Sequence, residues 1–241
     1  MIVNYTENGW QIITQRSHGL LAGQLCGNWN IKGQPDRWIE TLIAAAEHDD
    51  VYNEFEQSDL LNGKGGPLNY TMTTFSKPDC ERLMNMAVTK SAYIAILTSR
   101  HIQFVHGKEP AAKSYCEALK KREKLWMETV GISSVEVDSA YQLLEFCDAL
   151  SLLICQALIQ PSQRKTEVSQ GPDGTTYQVY SPKDNHLVLT PWPFEKHSFT
   201  VNYESRLLEQ LSFKSIKELR EALHKATVSS HVLLLSAGEK V

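Results

Sequence analysis

EVDSAYQLLEFCDALSLLICQALIQ, residues 136–160, places apolar side chains at Val137, Ala140, Leu143, Leu144, Cys147, Leu150, Leu153, Ile154 and Leu158. That spacing marks the buried face of an α-helix, and Pro161, which cannot continue it, ends the run. Asp148 lies inside this apolar stretch. A carboxylate buried there without a partner is costly, so the residue requires a cation.

Helical periodicity extends upstream from this segment. Asp79 can cap a long helix through Leu83, Met86, Ala87, Tyr93, Ile94 and Leu97 to His101 and His106, with Gly107 as its stop, and Glu109-Pro110 opens another to about Thr129. Asp36 can cap a helix whose stripe is Trp38, Ile39, Leu42, Ile43 and Ala46 and which runs into Glu47-His48-Asp49-Asp50. Ser17 stands at an N-cap position ahead of Leu20, Leu21 and Leu25, which puts His18 in the first turn of a further helix. Between Asn53 and Pro78 the period is lost and Gly63, Gly65, Gly66 and Pro67 appear, a loop long enough to serve a function.

Alternating patterns occupy the two ends. Ile2–Thr6 and Trp10–Thr14 flank Asn8-Gly9, a hairpin signal, and alternation returns after the turn-rich stretch from Pro161 to Asp173 in five runs, Thr176–Tyr180, His186–Thr190, Ser198–Tyr203, Arg206–Phe213 and Val228–Ser236, with one helix, Ile216–Lys225. A lone hairpin is marginal in water, so the N-terminal strands should join the C-terminal sheet. The expected fold class is therefore mainly α: a helical domain over residues 16–161 and a small α+β subdomain made of 1–15 with 174–241.

Composition bounds the function classes. The chain has 241 residues, 42% hydrophobic and 22% charged, with a formal charge of −4, which fits a packed globular protein and argues against a polyanion partner such as nucleic acid. The basic run Lys120, Lys121, Arg122 and Lys124 reads as a solvated helix face. Five scattered cysteines suit free buried thiols in a reducing compartment rather than a disulfide framework. With neither a signal-peptide pattern nor a membrane-length apolar run, a cytoplasmic protein is expected.

Imidazole and carboxylate groups arriving from different helices suit Zn²⁺, Mn²⁺ or Fe²⁺. His18, His48, Asp49 and Asp148 supply such a set, and the adjacent pair His48-Asp49 stands at a helix end, where backbone relaxation lets neighbours reach one point. Glu47, Asp50 and Glu54 flank the pair and could activate water, or be surface carboxylates. The loop Gly63-Lys-Gly-Gly-Pro lacks the Walker pattern and reads as a turn.

A histidine on one helix, a His-Asp pair ending the next and a distant Asp in Phe146-Cys-Asp-Ala-Leu-Ser-Leu-Leu together resemble the HD-domain phosphohydrolases. More narrowly, Gly9-Trp-Gln-Ile-Ile-Thr-Gln, Ser17-His-Gly-Leu-Leu-Ala-Gly-Gln-Leu and Ala45-Ala-Glu-His-Asp-Asp are similar to an uncharacterised bacterial family of HD-like proteins. The resemblance implies that the helical domain is HD-like and that His18, His48, Asp49 and Asp148 bind a divalent ion, Mn, Zn, Fe or Mg. His101 in Ser99-Arg-His is a fifth ligand by the pattern of dinuclear members, whereas His106 lies about 140° further round the helix. The resemblance implies a metal-dependent hydrolase with a small phosphorylated substrate, a phosphoester or nucleotide-like molecule whose phosphate Arg16, Lys64 or Arg100 could hold, and no membrane partner; a non-catalytic metal- or ligand-binding scaffold is the alternative, and an oligomer stays open.

Overall fold

The computed structural model describes residues 1–162 and 164–238. The hairpin β1 (Ile2–Thr6) and β2 (Gly9–Ile13) is followed by α1 (Gln15–Gly27), α2 (Trp38–Glu47), α3 (Lys77–Val88), α4 (Ala92–His106), α5 (Lys113–Val130) and α6 (Ser134–Cys155). β3 (Thr166–Gln170), β4 (Thr176–Lys183), β5 (His186–Thr190), β6 (Ser198–Leu208), α7 (Ile216–Lys225) and β7 (Val228–Ala237) complete the chain.

The expectation of a mainly α fold is corrected here. Helix accounts for 46% and strand for 23% of the structure, and among the described residues seven strands form one curled, mixed half-barrel, so the fold is α/β. The strand order is β1-β2-β6-β7-β5-β4-β3, antiparallel except for the β5–β7 pair. Two features of the chain hide the sheet's extent. Thr166–Gln170 is polar and only partly buried, so it reads as turn although it pairs with β4 as an edge strand. β2 also pairs with β6, Trp10 opposite Leu208 and Ile12 opposite Arg206, which fuses segments some two hundred residues apart into one surface.

Local chemistry accounts for the helix boundaries. The N-cap of α1 is Thr14, whose hydroxyl accepts from the Ser17 N–H, while Ser17 bonds both backbone groups of Glu204 on β6 and so ties helix to sheet. The expected long helix from Asp79 is two helices, because Ser91 caps a new start and α3 ends at Val88. α6 begins in a capping box between Ser133 and Glu136 and ends at Cys155, before the expected Gln160.

One hydrophobic core runs from the helices into the sheet, joining Leu21, Leu25, Leu143 and Phe146 to Ile13, Val179, Val201 and Leu235. Neighbouring Ile12 and Ile13 are both fully buried. Successive residues of a strand face opposite ways, so β2 is covered on both sides; Ile12 packs with Leu208, Phe213, Leu219 and Leu223, the cluster that seats α7. Among the described residues no helix is long and apolar enough to cross a membrane, and all five cysteines are buried and unpaired.

The crossing of α1 and α2 sets the site. A Cβ on Gly19 would stand 2.6 Å from the Ala46 carbonyl oxygen, and one on Gly23 would stand 2.8 Å from the Ala46 Cβ. Only glycine allows so close an approach. Gly19→Ala is expected to cost about 1–3 kcal/mol of stability and to weaken metal uptake by forcing the helices apart. Thermal unfolding and metal titration check this, and wild-type values in both would show that the crossing tolerates a methyl group.

Candidate metal centre

Four elements bring five side chains together. His18 comes from the second turn of α1, His48 and Asp49 from the end of α2, His101 from α4 and Asp148 from the middle of α6. His18 and His48 are 0% and 1% exposed. Their Nε2 atoms lie 3.1 Å apart. Asp148 Oδ1 is 3.2 Å from His48 Nε2 and 3.7 Å from His18 Nε2, and Asp49 Oδ2 is 3.5 Å from His18 Nε2 and 3.8 Å from His48 Nε2. His101 Nε2 stands 3.8 Å from the other Asp49 oxygen, Oδ1.

The hydrogen bonds behind the two buried rings fix their tautomers. His48 Nδ1 lies 2.8 Å from the Ala45 carbonyl oxygen, which can only accept, so Nδ1 carries the proton. Ser151 donates its hydroxyl proton to the Asp148 carbonyl and accepts at Oγ from His18 Nδ1, 2.8 Å away. Both Nε2 atoms therefore present lone pairs, and they face one another beside two carboxylates. No arrangement of neutral imidazoles satisfies that geometry; a proton or a metal ion does. Metal–donor bonds of about 2.0–2.2 Å separate adjacent donors by roughly 3.0–3.5 Å, close to the spacing seen here. The residues fit a metal ion, and His18, His48 and Asp49, and His48, His101 and Asp148, form groups that could hold one. Because Nδ1 of His48 is already engaged, both groups draw on its single Nε2 lone pair and so describe one ion position rather than two.

Electrostatics agrees with this arrangement. Burial lowers the His48 pKa, but the charges of Asp148 and Asp49 outweigh it and push the value up to about 9. Burial likewise raises both carboxyls, yet His48 with its neighbouring imidazoles holds Asp49 well below the ordinary value and keeps Asp148 below it. Without metal the cluster stores a proton that an ion must displace.

The sequence singles out the five converging residues, but the flanking candidates fall elsewhere. Glu47 pairs with Lys90 at 2.8 Å, Asp50 with Arg16 at 3.1 Å, and buried Glu54 accepts from the Met1 amine at 3.1 Å and the Gln15 N–H at 2.9 Å. Arg16 also clamps the Asp50 carbonyl, and Arg100 bridges Glu123 and Asp138. Neither these two arginines nor Lys64 lines the cavity. Two supporting residues escape the sequence reading. Gln15 donates to Asp49 Oδ2 at 2.8 Å. Ser151, three residues after Asp148, lies on the same helical face, a spacing that could have marked it.

A cavity of about 920 Å³ opens onto the cluster, where Gln15, Asp49, His101 and Asp148 line it, and the loop between α2 and α3 forms much of its wall. That volume suits a small organic ligand. Ser151→Ala is expected to lower metal affinity about 10–100-fold by leaving the His18 ring unoriented while the fold persists. Metal titration with circular dichroism of the same sample checks it; an unchanged affinity would detach Ser151 from the site.

No curated protein and no solved structure matches the chain. Residues 1–210 match the family described as "Protein of unknown function (DUF3891)". That match spans most of the sequence, and the chain belongs to the DUF3891 family.

Proposed function

We propose that this protein is a metal-dependent hydrolase of the HD type, acting on a phosphoester with one divalent ion, Mn, Zn, Fe or Mg, held by His18, His48, Asp49, His101 and Asp148. The pair of facing Nε2 lone pairs, 3.1 Å apart and buried beside two carboxylates, carries this reading. Resemblance to the HD-domain pattern supports it, since the same residue types meet from separate helices. A bound ion would lower the pKa of a water and polarise a phosphoryl oxygen. Gln15 holds Asp49 Oδ2 and leaves Oδ1 toward His101. At the cluster end of the cavity a carboxylate oxygen of Asp49 or Asp148 not bound to the ion would accept the proton, because Glu47, Asp50 and Glu54 are engaged away from it.

That engagement also favours a second reading, a non-catalytic metal-binding module. A screen of phosphomonoesters and phosphodiesters with the Mn²⁺-loaded protein separates the two. Phosphate release that disappears with chelator is expected of the hydrolase, whereas stoichiometric metal without turnover across the screen supports the module.

A further inference from the structure

Five residues beyond His101 on α4, about 7.5 Å further along the helix, the cavity carries a second polar anchor. His106 ends α4, lines the cavity and is 9% exposed. Its Nδ1 lies 2.7 Å from Glu109 Oε1, and the other Glu109 oxygen accepts from the Phe75 N–H at 2.8 Å. The Phe75 ring packs edge-on against the imidazole at 5.6 Å between centroids. His106 is thereby fixed through one nitrogen, and Nε2 remains its free polar atom.

Charge along the cavity is one-sided. No Lys or Arg side chain lines it among the described residues, whereas Asp59, Asp79 and Glu109 do, in addition to the two aspartates of the metal cluster. The Met1 amine, whose residue also lines the cavity, is already paired with buried Glu54, so a ligand with several anionic groups would find one unpaired cationic point, the ion, and carboxylates elsewhere. Uncharged polar residues also line it, Gln57, Asn62, Thr71, Thr73 and Ser76 among them, and supply hydroxyl and amide groups. At the metal end Gln15, 4% exposed and also lining the cavity, keeps Oε1 buried without a partner, an acceptor suited to a ligand hydroxyl.

We propose that the substrate carries a single anionic group, held at the metal cluster, and an uncharged polyhydroxy remainder whose far end reaches His106, which places it among sugar or polyol monophosphates rather than polyphosphates. The proposal rests on the hydrolase reading and adds the substrate class to it. His106 acts as a binding residue, through Nε2, with Glu109 as the residue that positions it.

Calorimetric titration of the Mn²⁺-loaded protein with inorganic phosphate, fructose 6-phosphate and fructose 1,6-bisphosphate tests this. Fructose 6-phosphate is expected to bind at least about tenfold more tightly than phosphate, the bisphosphate no more tightly than the monophosphate, and His106→Gln to remove the sugar's gain while phosphate affinity is kept. Tighter binding of the bisphosphate, a sugar phosphate no better than phosphate, or a gain that survives His106→Gln would overturn it. Should the variant fail to fold, the three wild-type affinities still decide. Failure of the Mn²⁺-loaded protein to bind phosphate at all would instead remove the hydrolase reading, and the substrate class with it.

Discussion

A His48→Ala variant is expected to lose divalent-metal binding by more than about 100-fold and to be less stable without metal by about 3–5 kcal/mol. The first effect follows from position. His48 Nε2 lies within 3.8 Å of His18 Nε2 and of both aspartates, and His48 is the residue shared by both groups that could hold an ion, with the His101 ring packed against it at 4.8 Å. The second follows from charge, since removing the imidazole leaves Asp49 and Asp148 facing one another with their main counter-charge gone. Calorimetric metal titration and denaturant unfolding measure the two effects. A wild-type isotherm from the variant would place the ion elsewhere.

Acidity should act in opposite directions on the metal-free and metal-bound protein. His48 has its pKa raised from 6.5 to about 9, so its stabilising contribution is fully present below pH 6.5 and is lost as pH rises through about 9. The full shift corresponds to about 3 kcal/mol. Asp49 and Asp148 are depressed, so theirs is present above pH 3.8 and lost on acidification. Metal-free protein is thus expected to be most stable between pH 3.8 and 6.5 as far as this cluster is concerned. Metal uptake must displace the His48 proton, so apparent affinity should rise up to about tenfold per pH unit until about pH 9. Unfolding series with chelator and with excess Mn²⁺ across this range check both trends. Parallel curves would show that His48 carries no exchangeable proton.

The converging cluster is legible in the sequence for a physical reason. Asp148 interrupts an apolar face, where a buried carboxylate needs a positive partner, and His48-Asp49 stands at a helix end, where neighbouring side chains can reach one point. His101 follows from its i+4 relation to Leu97, and both are buried on α4. The orienting groups were less visible because they depend on tertiary contact: the Ala45 carbonyl is anonymous in sequence, and Gln15 matters only once α1 lies against Asp49. Glu54 misled because a carboxylate near the HD pair looks catalytic, while the fold turns it toward the Met1 amine. The sheet was underestimated because its seven strands are contributed by both ends of the chain, and pairing between β2 and β6 leaves no local signature beyond alternation.

In the proposed function these residues form one metal site per chain. Titration of the chelator-treated, full-length protein with Mn²⁺, followed by metal analysis after desalting, measures it most directly. One equivalent bound to the wild type and none to His48→Ala is the expected result, because both candidate groups share one imidazole lone pair. No retained metal, or two equivalents that persist in the variant, would contradict the account.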